Sequence, residues 1–202
     1  MWGQANPVWD GRNAWDHVRH KLHTSDDTLY HTFVTHIDIQ DLNEDVTALP
    51  PLPDTLEYLI CQRCPSLCTL PSMAPWLLHL KFTDCGALRA LPPLPLTLLT
   101  LACHNCTALE QLPALEALSL THLDVRACAA LRALGSLPGS LTYLNCTRCA
   151  SLARLPLLMR SSLRTLRCGR TPIRQLPDLP STLALLDASS CAQLRHLPPL
   201  PA

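Results

Sequence analysis

Leu56-Glu57-Tyr58-Leu59-Ile60-Cys61-Gln62-Arg63-Cys64-Pro65-Ser66-Leu67, closed by Leu70-Pro71, is the stretch on which the reading of the chain turns. Its frame is LxxLxCxxCxxLxxLP. The frame restarts at Leu77, Leu98, Leu120, Leu141, Leu163 and Leu183, at spacings of 21, 21, 22, 21, 22 and 20 residues. A degenerate copy precedes these at Val34, Ile37, Ile39 and Leu42 and closes on Leu49-Pro50. Self-similarity at this period marks a solenoid, in which one repeat cannot bury its own leucines and neighbours stack to make the core.

Physical chemistry assigns the frame, counted from its first leucine. Positions four and six alternate with polar neighbours, as one face of a short strand requires. Position nine turns the chain inward and must satisfy backbone polar groups at the bend. It is filled by Cys64, Cys85, Cys106, Cys128, Cys149, Thr171 and Cys191. The return stretches read LPPLPDTL (49–56), LPPLPLTL (91–98) and LPDLPSTL (176–183). Proline there fixes φ and needs no ladder donor, so that side is expected to be extended or polyproline-like. At about 4.8 Å per rung, eight rungs stack to roughly 38 Å.

Composition agrees. Apolar residues make up 48% of the chain while aromatics are 4%, so leucine carries the core, and 19 prolines accompany it at fixed places. Sixteen basic residues balance sixteen acidic ones, so there is no global footprint for nucleic acid. No apolar run reaches the length of a membrane span. The start, Met1-Trp2-Gly3-Gln4-Ala5-Asn6-Pro7, lacks the basic and apolar regions of a signal peptide. Eleven cysteines, an odd number held in a core frame, read as reduced thiols in a reducing compartment.

The frame resembles the leucine-rich-repeat template, L-x-x-L-x-L-x-x-N/C-x-L. The resemblance implies an α/β solenoid, a horseshoe with short parallel strands on its concave face and an extended convex side. The LPxLPxxLxxL return is similar to that of the bacterial type III secreted leucine-rich-repeat effectors of the IpaH and YopM group. Their small helical N-terminal cap has a counterpart in Ala14-Trp15-Asp16-His17-Val18-Arg19-His20-Lys21-Leu22, where Trp15, Val18 and Leu22 share a helical face. A second helix can start at Ser25, with Asp26 and Asp27 at its N-terminus and Leu29 and Phe33 packing inward. The expected layout is therefore a helical cap over 1–33 and a repeat array over 34–202, one degenerate opening repeat plus seven. The group's usual repeat has 20 residues with Asn at the bend, whereas this one is mostly 21–22 with Cys. Cys-type repeats of this length also resemble those of large DNA viruses and protists.

The resemblance implies a noncatalytic protein-binding scaffold, delivered by a type III system into host cytoplasm. The alternative is the substrate-recognition part of a ubiquitin ligase. The chain stops in mid-repeat at His196-Leu197-Pro198-Pro199-Leu200-Pro201-Ala202, which leaves no catalytic domain within it and suggests self-association at that end.

Chemistry has few candidates. The pairs Cys61/Cys64, Cys103/Cys106 and Cys146/Cys149 have metal-ligand spacing, yet adjacent rungs never bring four cysteines together, so they read as inert core thiols. Cys68 falls outside the frame and is the candidate exposed thiol. Asp16, His17 and His20 lack a further donor at a defined spacing and read as a solvated helix face. There is no phosphate-cradling glycine loop, GxSxG or HExxH, so neither enzyme nor cofactor is expected. The outward strand positions carry more. They present Tyr58, His79, Lys81, His104, His122, Asp124, Arg126, Tyr143, Arg148, Arg167 and Arg170 as partner-binding residues. Tyr, His and Arg suit binding hot spots, and the arginines, with Arg164, form a local basic patch that suits a protein with an acidic surface.

Overall fold

The computed structural model describes residues 34–42 and 45–199. It contains one sheet of eight parallel strands in sequence order. They are β1 (His36–Gln40), β2 (Tyr58–Gln62), β3 (His79–Thr83), β4 (Thr100–His104), β5 (His122–Asp124), β6 (Tyr143–Asn145), β7 (Thr165–Arg167) and β8 (Leu185–Asp187). Each pairs with its sequence neighbour in the register of the repeat, so that Leu59 lies beside Leu80, Leu80 beside Leu101 and Leu144 beside Leu166. No helix occurs among the described residues. The expected cap, residues 1–33, lies outside them.

The alternation puts position four in the core. Leu59, Leu80, Leu101, Leu123, Leu144 and Leu166 are fully buried, and Cys61, Phe82, Cys103, Val125, Cys146 and Cys168 bury position six. Two outward positions depart from expectation: Ala102 and Asn145 are also buried. Ala102 is short, with Lys81 and Asp124 beside it in register. Asn145 donates to Asp124 and accepts from the Thr147 amide. The return side carries turns and two isolated parallel bridges, Ala48–Thr69 and Gln111–Ala133, in place of a second sheet.

Three polar devices join the rungs. At four of the six cysteine bends the thiol reaches the position-six carbonyl of the preceding rung, whereas Cys64 and Cys106 turn to the Gln62 and His104 carbonyls of their own rungs. Cys85 donates to Cys61, Cys128 to Cys103, Cys149 to Val125 and Cys191 to Cys168, at 3.6, 3.0, 3.1 and 3.1 Å. Thr171, the exception at the bend, turns its hydroxyl to the Cys168 carbonyl of its own rung at 2.6 Å. The residue before four of the seven frames supplies the second device. Thr55, Thr97, Ser140 and Thr182 donate to the carbonyls of Val34, Leu77, Leu120 and Leu163, at 2.8–3.0 Å. The third is a left-handed corner at position eight. Asp41, Arg63, Asp84, Asn105, Ala127, Arg148, Arg170 and Ser190 all have φ between 52° and 63°. The corner aims the position-eight amide at the position-seven carbonyl of the next rung, as from Arg63 to Thr83 at 2.8 Å and Arg148 to Gly169 at 3.0 Å.

Candidate functional site

The outward face of the sheet carries two side-chain groupings, one toward each end. At the β1 end, position three places His36, Tyr58 and His79 in a continuous stack, with ring centroids 4.1 and 4.4 Å apart and planes within 17°. Thr100 interrupts it, and His122 then stacks on Tyr143 at 5.6 Å. Strand register alone enforces this, because equivalent positions on adjacent rungs stand one strand spacing apart. Burial, followed by repulsion from His122 and His36, holds the His79 pKa below the ordinary imidazole value. Lys81 stands half-buried one position along from this stack, beside Ile60 and Ala102.

Further along the sheet, β5 to β8 are three residues long, and β5, β6 and β8 end in a cap. The position-five side chain accepts the backbone N–H two residues on. Asp124 takes Arg126, Asn145 takes Thr147 and Asp187 takes Ser189, at 3.2, 3.1 and 3.0 Å. This local side-chain bond substitutes for a ladder bond where the strand stops. Arg167 occupies the same position on β7 and has no acceptor to offer.

Asp124 is the hub of this end. Burial alone would raise its pKa. His104, the Arg126 amide and the charges of both residues outweigh burial and hold the carboxyl below its ordinary value. His104 Nε2 lies 3.2 Å from Asp124 Oδ2 but approaches obliquely, so it is a close charge contact without a well-directed hydrogen bond. Arg126 Nη2 lies 3.2 Å from His104 Nδ1, so His104, Asp124 and Arg126 form one contiguous cluster.

His104, Arg126, Arg148 and Arg167 line one open depression of about 620 Å3, with Asn105, Asn145, Thr147 and Asp187. Arg126 leans on Asp124 at 4.0 Å. Arg148 and Arg167 form no ion pair with a described residue. Arg170 is exposed at its left-handed corner, outside that lining. Arg164 is exposed before β7, at the opposite end of the strand from the corner. The structure thus brings together Arg126, Arg148, Arg167, His104 and Asp124, and separately Tyr58 with His79 and His122 with Tyr143. Sequence reasoning missed His36, which belongs to the aromatic stack, and the position-five caps. The caps had a signal, since Asp124, Asn145 and Asp187 recur in frame two residues before the corner's own neighbour.

Among the described residues no group of three or more His, Cys, Asp or Glu is arranged to hold a metal ion. No described helix is long and apolar enough to cross a membrane. Ten of the eleven cysteines are buried or half-buried, and Cys68 is exposed. Cys191 is only half-buried, because no described rung lies beyond β8. Burial pushes the Cys149 thiol up to about 11 and the Cys168 thiol up to about 12. A thiol bond to Cys106 leads the causes that push Cys85 up to about 12.

No family model and no curated relative matches the chain. Among solved structures, that of YopM, a leucine-rich effector protein from Yersinia pestis, superposes with a TM-score of 0.75 at 26% sequence identity. The alignment covers 96% of this chain and 52% of YopM, so the chain spans about half the length of that protein. The in-register rungs, the leucine frame and this likeness together make the chain a leucine-rich-repeat solenoid similar to the effector YopM.

Proposed function

We propose that the protein is a noncatalytic interaction scaffold that binds a partner protein through the outward, concave face of its sheet. One observation carries this reading. The face presents aromatic and arginine side chains on adjacent rungs, while the position-four leucines of β2 to β7 are turned inward and Leu185 of β8 is the one leucine at an outward position three. Tyr and Arg lose little entropy per contact and dominate binding energy where they are clustered. Tyr58, His79, Lys81, His122 and Tyr143 form one part of the contact surface. His104, Asp124, Arg126, Arg148, Arg167 and Arg170 form the other. The helical cap over 1–33 and the array over 34–202 belong to the same proposal. The likeness to a leucine-rich effector protein supports placing this chain among effectors that type III secretion delivers into host cytoplasm.

Affinity capture from a eukaryotic lysate tests the reading. Wild type is compared with a face variant, Tyr58→Asp with His122→Asp, with the triple variant Arg148→Ala, Arg167→Ala, Arg170→Ala, and with a return-side variant, Arg89→Ala with Arg132→Ala. Capture retained by wild type and the return-side variant and lost by a face variant is the expected result. Capture unaffected by either face variant removes the proposal.

A further inference from the structure

The rung of β7 breaks the cap rule that its neighbours keep. Asp124, Asn145 and Asp187 each accept the N–H two residues on, but β7 carries Arg167 in their place. The N–H two residues beyond Arg167 belongs to Gly169, which is buried, and no described residue accepts from it. Its carbonyl and both flanking amides are occupied: Arg148 donates to Gly169, Cys168 to Asp187 and Arg170 to Ser189. One donor is thus left over, at the point where the neighbouring rungs hold a carboxylate or amide oxygen on the exposed side of the sheet. Buried backbone donors without an acceptor are rare. The residue that replaces the acceptor is a cation, and Arg148 and Arg126 share its depression.

We propose that this rung anchors an acidic peptide segment of the partner. One Asp or Glu carboxylate takes the place of the missing cap, accepting from the Gly169 amide while pairing with Arg167, and neighbouring carboxylates meet Arg148 and Arg126. The inference rests on the scaffold reading above and names the chemistry of its partner. Charge-assisted and bidentate hydrogen bonds favour a planar carboxylate here. A nucleic-acid strand fits less well. The three-ring His36–Tyr58–His79 stack that could hold successive bases lies toward the other end, with the single His122–Tyr143 pair near the arginines, and the chain carries no net charge.

The test is a titration of 15N-labelled full-length protein with an octaglutamate peptide, with octalysine and an eight-residue oligothymidylate as controls. The expected result is binding of octaglutamate that moves the Gly169 amide resonance downfield and weakens with salt. Arg167→Asn supplies its own cap, as Asn145 does. It should bind octaglutamate at least about tenfold more weakly and melt about 2 °C or more above wild type. Arg167→Ala leaves the amide open, so it should weaken binding yet keep the Gly169 shift. The inference is overturned if octaglutamate does not bind, if it binds without moving Gly169, if Arg167→Asn binds as wild type does, or if the oligothymidylate binds more tightly. If octaglutamate fails while the Tyr58/His122 variant still loses lysate partners, this inference falls and the scaffold reading stands. If neither face variant alters capture, the scaffold reading falls on its own test.

Discussion

The corner at position eight is the most demanding single residue of the repeat, because every rung must enter the left-handed region there. Asp41, Asp84 and Asn105 suit it, since short polar side chains tolerate that region, but Ala127 brings a Cβ and no compensating bond. A left-handed L residue costs roughly 1–2 kcal/mol, and glycine's extra freedom in the unfolded chain costs about 0.5–1 kcal/mol. Ala127→Gly should therefore keep or raise stability, by up to about 1 kcal/mol. Ala130→Gly, three residues on and outside the left-handed region, should lower it by about 0.5–1 kcal/mol. Denaturant midpoints for the two variants decide, and equal losses would mean that the corner stores no strain. The core thiols at positions six and nine give a second residue-scale expectation. Their folded pKa values are raised, to about 11 for Cys149 and about 12 for Cys85 and Cys168. In the unfolded chain these thiols ionise near pH 8.5–9. Their contribution is therefore fully present below that pH and is lost as pH rises toward 11–12. Each removes about 1.4 kcal/mol per pH unit through that window. Under reductant, the denaturant midpoint should fall steeply between pH 8.5 and 10.5. A flat profile would show that the thiols are already open to water.

A single strand shows how much of the fold could be read in advance. β4 alternates Thr100, Leu101, Ala102, Cys103 and His104, and the frame assigned Leu101 and Cys103 inward, where both are fully buried. Leu101→Asp should unfold the array, since an unpaired carboxylate in that layer costs several kcal/mol or stays protonated. Thr100→Asp on the exposed side should change stability by about 0.5 kcal/mol or less. Far-ultraviolet circular dichroism melts separate the two, and similar melting would reverse the alternation. The same alternation placed Ala102 and Asn145 outward without revealing that they would be covered. Burial there depends on which longer side chains stand beside them in register, a cross-strand property that one repeat does not contain. The capping bonds of β5, β6 and β8 were obscured for a related reason. An Asp or Asn on a strand looks like a solvated polar residue until the strand is known to stop at it. The hydroxyl bonds from Thr55, Thr97, Ser140 and Thr182 were legible as a recurring Ser or Thr before the frame, but only the register shows the carbonyls they reach.

Across the whole molecule, each strand packs against its sequence neighbours, so stability is close to a sum of rung and interface terms. That nearest-neighbour character made the array legible: a period and an inward frame suffice to stack it. The candidate site was legible only as a row of residues, because the depression depends on which arginines already have partners. Arg63 is held by Asp41 at 2.8 Å and Arg126 leans on Asp124, whereas Arg148 and Arg167 stay unpaired among the described residues. Nearest-neighbour stacking also predicts uneven local stability. The inward Leu144 of β6 is fully buried between two rungs, while β8 has one described neighbour and its Leu186 is only partly buried. Backbone amides that open with the smallest loss of buried contacts exchange fastest. Native-state hydrogen exchange of this chain should therefore give opening free energies that fall from β5 through β8, with the β8 amides near the bottom of the range. Leu144→Ala should cost about 2–5 kcal/mol and lower protection in β5, β6 and β7 together, whereas Leu186→Ala should be felt mainly in β7 and β8. Octaglutamate bound at the β5–β7 depression should raise protection on those rungs first, as binding to the folded form does through mass action. If β8 instead opens with the same free energy as β5, the array unfolds as one cooperative block. Coupling between rungs would then be strong enough for a contact at the arginine depression to stabilise the aromatic stack at the far end.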